Sequence, residues 1–547
     1  MLADEIRQFF HGEVAGDDAT LADYSHDYSI FIVKPQLVVF PKDVEDVKNL
    51  VKFVAKKKAA GEDISLTGRS AGTDMTGGPL TQSIVVSFTK YFNQVKEIGA
   101  DYAVVQPGVY FRDFEKQLKP KGLLYPPYPA SKDLCALGGM VNNNSGGEKT
   151  LAYGKTEDYI EELKVVLADG ELHTLKPLSG AELDTKLKEP GFEGDYYRNL
   201  YALLDKNYDA VKAAKPDVSK NSAGYFLWNV WDKEKKTFDV TKVFVGSQGT
   251  FGLLVEAKLR LVKEKKYHML GVVFLPNLGP VANLVVELLK LKPESIESYD
   301  DKTLQVALKF LPGIIKSMKG NFLKLIFQFI PEAWMALRGG FPKMVLLVEI
   351  SSDDEADALA RLNEVAAIAK KFSLQHSLLK KESQQEKYWV IRRQSFALLH
   401  DHSTGLDTAP FIDDIIVKPE YLPEFLPKVN AILDEYKDKL VYTIAGHPGN
   451  GNFHIIPLMD LKKPEVRAII PEISERVYRL VIEYKGSFTA EHNDGIIRTP
   501  YLGEMYGERI AGLFIETKKI FDPQGIFNPG KKTGGSLAYS AEHTKKS

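Results

Sequence analysis

Two short stretches in the C-terminal part concentrate residues able to do chemistry. AGHPGNGNFHIIP carries His447 and His454, and FTAEHNDGIIR carries Glu491, His492 and Arg498. Two imidazoles and a carboxylate are a donor set for a divalent metal ion, with coordination positions left open for a substrate. Histidines satisfied by hydrogen bonds in a core are the alternative, and on the residues alone the stronger one. His-Pro-Gly-Asn-Gly-Asn is turn chemistry, so His447 and His454 are expected to flank a loop rather than share a helix face.

Three glycine-rich stretches lie earlier. TGRSAGTDMTGG (67–78) follows a strand pattern, and its small residues let backbone approach a ligand and form a concave anion site suited to a diphosphate. It is neither a P-loop, since no Gly-Lys-Ser/Thr follows, nor a Rossmann fingerprint. LGGMVNNNSGG (137–147) places two glycine pairs around three asparagines, and GSQGTFG (246–252) falls between two strand patterns. One such loop is only a turn signal. Three edged by strands point to one large ligand touched at several places.

The elements that must position these residues follow from periodicity. Residues 1–32 read as a lead-in helix. From Leu37, strand patterns LVVFP, ISLTG, SIVVSF, AVVQPG, LKVVLADG, KVFVGSQG and LLVEAKLRLV run to about 265, with a helix from Val44 capped by Asp43 and a hairpin at Gly170. MLGVVFLP (269–276) and MVLLVEI (344–350), each followed by a helix pattern, predict an α+β sheet with helices on one face. Residues 303–343 are apolar and basic, which fits either a peripheral membrane element or a helical excursion packed on protein. The expected organisation is a lead-in (1–32), a first domain (33–265), a second domain (266–485), a segment returning to the first (486–535) and a disordered tail (536–547).

Bulk properties narrow the function. The chain has 547 residues, enough for several cores, and a net charge of −2, which gives no reason to expect nucleic-acid binding. One cysteine, Cys135, precludes an intramolecular disulfide and a cysteine-ligated iron–sulfur cluster within the chain, and reads as a small buried residue. No signal-peptide pattern or membrane span is read, so a cytoplasmic location is expected, peripheral to the membrane if 303–343 binds lipid.

In order and spacing, the three glycine-rich stretches and KNSAGY (220–225) resemble the vanillyl-alcohol oxidase and p-cresol methylhydroxylase flavoprotein superfamily over roughly residues 20–535. The resemblance implies an α+β fold: a two-subdomain FAD-binding part of the p-cresol methylhydroxylase type, plus an α+β substrate (cap) domain with an antiparallel sheet covered by helices. It implies that Gly68, Arg69, Ser70, Ala71, Gly72, Thr73 and Asp74 hold the FAD diphosphate. Pro129, Ser131, Gly138, Gly139, Asn142, Asn144, Ser145 and Gly146, with Gly249, Gly252, Leu253, Leu254 and Asn528, would contact the rest of the cofactor. Thr73 stands where some relatives carry a tethering histidine, so FAD is expected to be non-covalent.

The C-terminal half is similar to the FAD-linked oxidase domain of D-2-hydroxy-acid dehydrogenases. Gly446, His447, Gly449, Gly451, Asn452 and His454 match one family pattern, and Glu491 with His492 a second; TAPFIDDIIVKPEYLPEF (408–425) and NPGK (528–531) also fit. The resemblance implies a divalent metal (Zn, Mn or Fe) on His447, His454 and Glu491, His492 as general base, and an arginine clamping the substrate carboxylate. Arg392 matches that position best, with Arg393 and Arg498 as competitors. The implied activity is oxidation of a small D-2-hydroxy acid such as lactate. Electrons would pass to a separate quinone, cytochrome, electron-transfer flavoprotein or iron–sulfur subunit, and the chain is expected to be a homodimer. Alternatives are an alkyl-glycerone-phosphate-synthase-like transferase and a flavin subunit of a larger electron-transfer complex. Asn450 and Asn493 depart from the family's Asp and Gly, and Ile412 and Ile456 replace polar residues that read a dicarboxylate, which favours a smaller or more apolar acid.

Overall fold

The computed structural model describes residues 2–309, 341–402 and 405–546. Most of the basic apolar stretch 303–343 lies outside the described residues. Strand Leu37–Phe40 runs into helix Val44–Ala59, whose N-terminus Asp43 caps by accepting from Asp46 N at 3.0 Å, while Lys56, Lys57 and Lys58 complement its C-terminal dipole. The chain returns as strand Leu66–Arg69, and Ile84–Ser87 inserts in parallel between the two, with Glu13–Ala15 antiparallel at the far edge. The 70–78 loop leaves the carboxyl end of Leu66–Arg69, where parallel sheets hold ligands.

A five-stranded antiparallel sheet follows, in the order Val95–Ile98, Tyr102–Val105, Leu253–Arg260, Ile160–Val166, Leu172–Leu175. Gly170, at φ +73°, turns its last hairpin. Val166, Leu253 and Val255 pack in one apolar cluster with the first sheet.

The third sheet has eight antiparallel strands, with Tyr267–Leu275, Met344–Ser352, Ser295–Asp300, Leu440–His447 and Asn452–Met459 side by side in that order. Alternation fixes both faces. Met269, Val273 and Leu275 turn to helices Val281–Leu289, Glu355–Lys371, Leu422–Asp434 and Ile469–Glu483. Leu270, Val272 and Phe274 turn the other way, onto Tyr388, Trp389 and Ile391 of helix Glu382–His402. Helices therefore lie on both faces, not one as the patterns predicted, because both sets of alternate residues are apolar.

Two further expectations are corrected. KVFVGSQG is not a strand: Asp239 Oδ1 accepts from Thr241 N at 3.0 Å and starts the helical turn Thr241–Phe244. The tail, expected to be disordered, is ordered over the described residues 536–546: Ser536 caps helix Leu537–His543, Thr544 bridges to Phe31, and Lys545 N donates to Ile30 O at 2.8 Å. Its polar composition hid partners that lie at the other end of the chain. Phe527 pairs with Leu66, so the C-terminal segment runs beside the first sheet. Among the described residues no helix is long and apolar enough to cross a membrane.

Candidate active site

The glycine-rich loops and the buried face of the eight-stranded sheet enclose one cavity of about 860 Å³. Its upper wall is small residues held by their backbones. Ser70 Oγ and Gly138 N both donate to Pro107 O, at 3.1 and 2.8 Å, which ties the 70–74 loop to helix Leu137–Asn143. Asn142 ties that helix to the third loop: its Oδ1 accepts from Gly249 N at 3.0 Å and its backbone oxygen from Gln248 N at 2.9 Å. A Cβ on Gly138 would lie 2.5 Å from Pro107, whereas one on Gly139 meets nothing within 4 Å and one on Gly249 only Gly252 O at 3.9 Å. Gly139 and Gly249 thus leave open space in the wall that a side chain would fill. An extended cofactor fits this glycine-lined cradle, whose volume lies in the upper part of the range of such sites.

All the residues expected at FAD lie in this wall except Asn144 and Asn528. Arg69 lines it but spends its donors elsewhere, on Tyr24 O and His26 O at 3.2 and 2.9 Å. Asp74 also braces its loop, accepting from Gly78 N at 2.7 Å and Asn143 Nδ2 at 2.8 Å. Asn144 caps the helix at φ +50°, and its Oδ1 accepts from Glu157 N at 2.9 Å. Asn528 is buried behind the loops, where Nδ2 donates to Gly78 O and Gln248 O at 3.0 and 2.7 Å. Cys135 lines the wall, and burial pushes its thiol up to about 12, which leaves it inert.

The lower wall is built from the hairpin of strands Leu440–His447 and Asn452–Met459. Ala445 pairs with His454 and His447 with Asn452, so strand alternation brings His447, His454 and Ile456 to the same side, in the cavity wall. Ile412 belongs instead to the core on the opposite face. Gly451, at φ +74°, closes the hairpin with its Cα beside Val417 O; a Cβ there would lie 1.9 Å from that oxygen. The histidines flank a loop, as their turn residues imply.

Carboxylates fix each imidazole. His447 Nδ1 meets Glu297 Oε1 at 2.6 Å, and its Nε2 lies 3.5 Å from Glu491 Oε2. His454 Nδ1 and His492 Nδ1 share Asp413, at 3.1 and 2.6 Å, and their rings stack with centroids 5.0 Å apart. Glu491 Oε1 accepts from the fully buried Lys220 ammonium. Burial works against the charge on Glu491, but Lys220 and His447 outweigh it and hold the carboxyl well below its usual range. Burial lowers His454 despite Asp413. Burial also opposes protonation of His492, yet Asp413 and Asp414 outweigh it and hold this imidazole up to about 9. Asp414 braces the segment, its Oδ2 accepting from Glu491 N and His492 N, both at 2.7 Å.

Donor atoms of Asp414, His454, Glu491 and His492 gather within 4.8 Å of one another, and His447 adjoins Glu491. Imidazoles whose second nitrogen is held by a carboxylate are the arrangement metal ligands take, so the residues fit a divalent cation. Arg392 and Arg393 both line the cavity. Arg392 Nε donates to Glu297 Oε2 at 3.1 Å, and Arg393 grips both oxygens of Glu148 at 3.0 and 2.6 Å. Arg498 does not reach the cavity: it is wholly buried and donates to Asn493 O at 3.0 Å and to Asp413 O.

Sequence reasoning missed Asp413, Glu297, Lys220 and Glu148. The signal for Asp413 was present in FIDDII, since acids inside an apolar run are buried only when paired. Glu297 carries no local signal, because its partners are 95 and 150 residues away.

Comparison with known proteins gives two family matches, an FAD binding domain over residues 35–176 and the C-terminal domain of FAD linked oxidases over 264–532. The chain is 30% identical over 529 residues to a D-2-hydroxyglutarate dehydrogenase from Pseudomonas putida, covering 95% of this chain and 50% of that protein. It thus spans about half the length of that curated relative. It is 25% identical over 531 residues to a D-lactate dehydrogenase from Anaerostipes hadrus, covering 95% of this chain and 94% of that one. Among solved structures, 4-ethylphenol oxidase from Gulosibacter chungangensis matches at TM-score 0.68 and 16% identity over 98% of each chain. An alkyldihydroxyacetonephosphate synthase matches at 0.63 and 15%, over 96% of this chain and 84% of that one. The structural matches establish a shared fold.

Proposed function

The chain belongs to the FAD-linked oxidases, on the fold of p-cresol methylhydroxylase and vanillyl-alcohol oxidase, and from that premise we propose that it oxidises a small D-2-hydroxy acid to the 2-oxo acid. The observation that carries this is one cavity lined both by a glycine-rich cradle and by Arg392 and the hydrogen-bonded Asp413–His492 pair.

Arg392 binds the substrate carboxylate through paired N–H donors. His492 accepts the hydroxyl proton at Nε2, because Asp413 holds its Nδ1 and stabilises the imidazolium that forms. Non-covalent FAD, held by the 68–74, 138–146 and 249–254 residues, would supply the acceptor for the hydride leaving C2. A divalent cation on His447, His454 and Glu491 would supply Lewis-acid polarisation of the hydroxyl. Electrons then leave for a separate acceptor: a quinone, cytochrome, electron-transfer flavoprotein or iron–sulfur subunit.

The wall supports a monocarboxylate such as D-lactate. Glu148 compensates the charge of Arg393, and Ala445 and Ile456 are apolar. The Pseudomonas putida relative favours a second substrate, D-2-hydroxyglutarate. A transferase like the synthase is disfavoured, since that family's run of consecutive histidines is replaced here by Glu491-His492-Asn493.

The test is anaerobic mixing of the yellow protein with a panel of D- and L-2-hydroxy acids, with and without chelator. D-lactate is expected to bleach the flavin and L-lactate to leave it oxidised. Bleaching by D-2-hydroxyglutarate alone would select the second substrate, and no bleaching by any 2-hydroxy acid would end the proposal.

A further inference from the structure

Glu297 is a buried acid that the chemistry above does not use. It lies in strand Ser295–Asp300 and is 2% exposed. Ser298 pairs with Gly446 and Tyr299 with Ala445, so the antiparallel register puts Glu297 beside His447. Its two oxygens hold different groups: Oε1 meets His447 Nδ1 at 2.6 Å, and Oε2 accepts from Arg392 Nε at 3.1 Å. His447 comes from the end of one strand of the sheet, Arg392 from the helix packed across that face. With Nδ1 engaged, His447 is left to present Nε2 towards Glu491 Oε2, 3.5 Å away. Arg392, held at Nε, also lines the cavity.

We propose that Glu297 is a positioning residue that sets, through one carboxylate, both the tautomer and orientation of His447 and the orientation of Arg392. It thereby fixes the spacing between the carboxylate-binding and hydroxyl-facing ends of the site. This rests on the 2-hydroxy-acid reading above. The physical basis is general: the outer carboxylate on a functional histidine selects its tautomer, and a guanidinium held at one edge loses little freedom when the other edge binds. What is particular here is that one carboxylate does both, so the two ends cannot move independently.

The test compares wild type with Glu297→Gln and Glu297→Asp as purified FAD-loaded proteins. Gln keeps one acceptor oxygen and loses the charge; Asp keeps the charge but retreats by one methylene. Two measurements are made: the rate of flavin bleaching by D-lactate, and the affinity for pyruvate, a non-reducing 2-oxo monocarboxylate, read from the shift of the flavin spectrum. With FAD content unchanged, Glu297→Gln is expected to weaken pyruvate binding and to slow bleaching, each by roughly 10–100-fold, with Glu297→Asp intermediate. In an Arg392→Lys background, the effect of Glu297→Gln on pyruvate affinity is expected to shrink, because the group it positions has changed.

Unchanged rate and affinity in Glu297→Gln, or losses that simply add to those of Arg392→Lys, would overturn the positioning role. If Glu297→Gln loses its flavin, Glu297→Asp carries the same comparison, and wild-type behaviour there overturns it too. If wild type binds pyruvate but no 2-hydroxy acid bleaches it, the functional proposal fails while pyruvate affinity still decides Glu297. Wild type that neither binds nor reacts ends both.

Discussion

His492 and Asp413 meet at 2.6 Å, and the burial that opposes the imidazolium is outweighed by the Asp413 and Asp414 carboxylates, which hold His492 up to about 9. A base works only when neutral. In chelator-treated protein, flavin reduction by D-lactate is therefore expected to rise with pH through about 9. Asp413→Asn removes the carboxylate that raises the imidazole, so the acidic limb should move to lower pH while the plateau rate falls. A limb that stays in place in stopped-flow measurements would detach Asp413 from the base. His492→Ala is expected to abolish bleaching by D-lactate and leave FAD bound; normal reduction would remove His492 from the mechanism. Asp413 and Asp414 show how fine this scale is. Adjacent in the chain, they diverge because Asp414 adopts φ +70°, so that one grips two imidazoles and the other the backbone of 491–492.

Helix Leu137–Asn143 illustrates a conflict between local preference and ligand space. Gly139 lies inside it with nothing within 4 Å of a Cβ, and a helical glycine costs about 1 kcal/mol against alanine. Gly139→Leu is expected to raise the melting temperature of the FAD-free protein slightly and to weaken FAD retention. Full flavin content after dialysis would show that the cradle lies elsewhere. A second element-level device is His173 in strand Leu172–Leu175, 3.0 Å from Asp169 and 3.4 Å from Glu193 of helix Gly191–Lys206. Burial lowers it, but both acids outweigh burial and raise it from 6.5 to about 9. Because the folded value is raised, the stabilisation is complete below pH 6.5 and is lost as pH rises through about 9. Denaturant unfolding should register up to about 3 kcal/mol of loss across that window. His173→Ala should remove this slope, and an unchanged slope would assign it to other groups.

The two halves of the molecule are joined by buried charge directly after the second glycine loop. Glu148 reaches Arg393, while Lys149 reaches Glu294, just before strand Ser295–Asp300, and Glu349 in strand Met344–Ser352, at 2.7 and 3.0 Å. These contacts tie the wall of the cradle to Arg393 and to the eight-stranded sheet. Removing one partner of a buried pair leaves charge without compensation, so Lys149→Ala is expected to lose about 3–5 kcal/mol in urea unfolding. A loss below about 1 kcal/mol would class the contact with exposed ion pairs.

Which parts of this were legible in the chain follows from range. Most strands, the Asp43 cap and the hairpin at Gly170 are set by neighbours a few residues apart, so alternation and turn chemistry determined them, whereas KVFVGSQG read as a strand and folds as a helical turn. The same short-range rules placed His447 and His454 on either side of a loop, and the order of the three glycine loops pointed to FAD. Only the tertiary structure decided which residues converge. Asp413 meeting His492, Glu297 bridging Arg392 to His447, Lys220 on Glu491 and Lys545 of the tail on Ile30 all join positions 79 or more residues apart. It also removed Arg498, Asn144 and Asn528 from the cavity wall. A buried charge or amide has to find a partner, but sequence spacing does not say which one. Packing brings the partners together, and that is fixed only when the sheets close on one another.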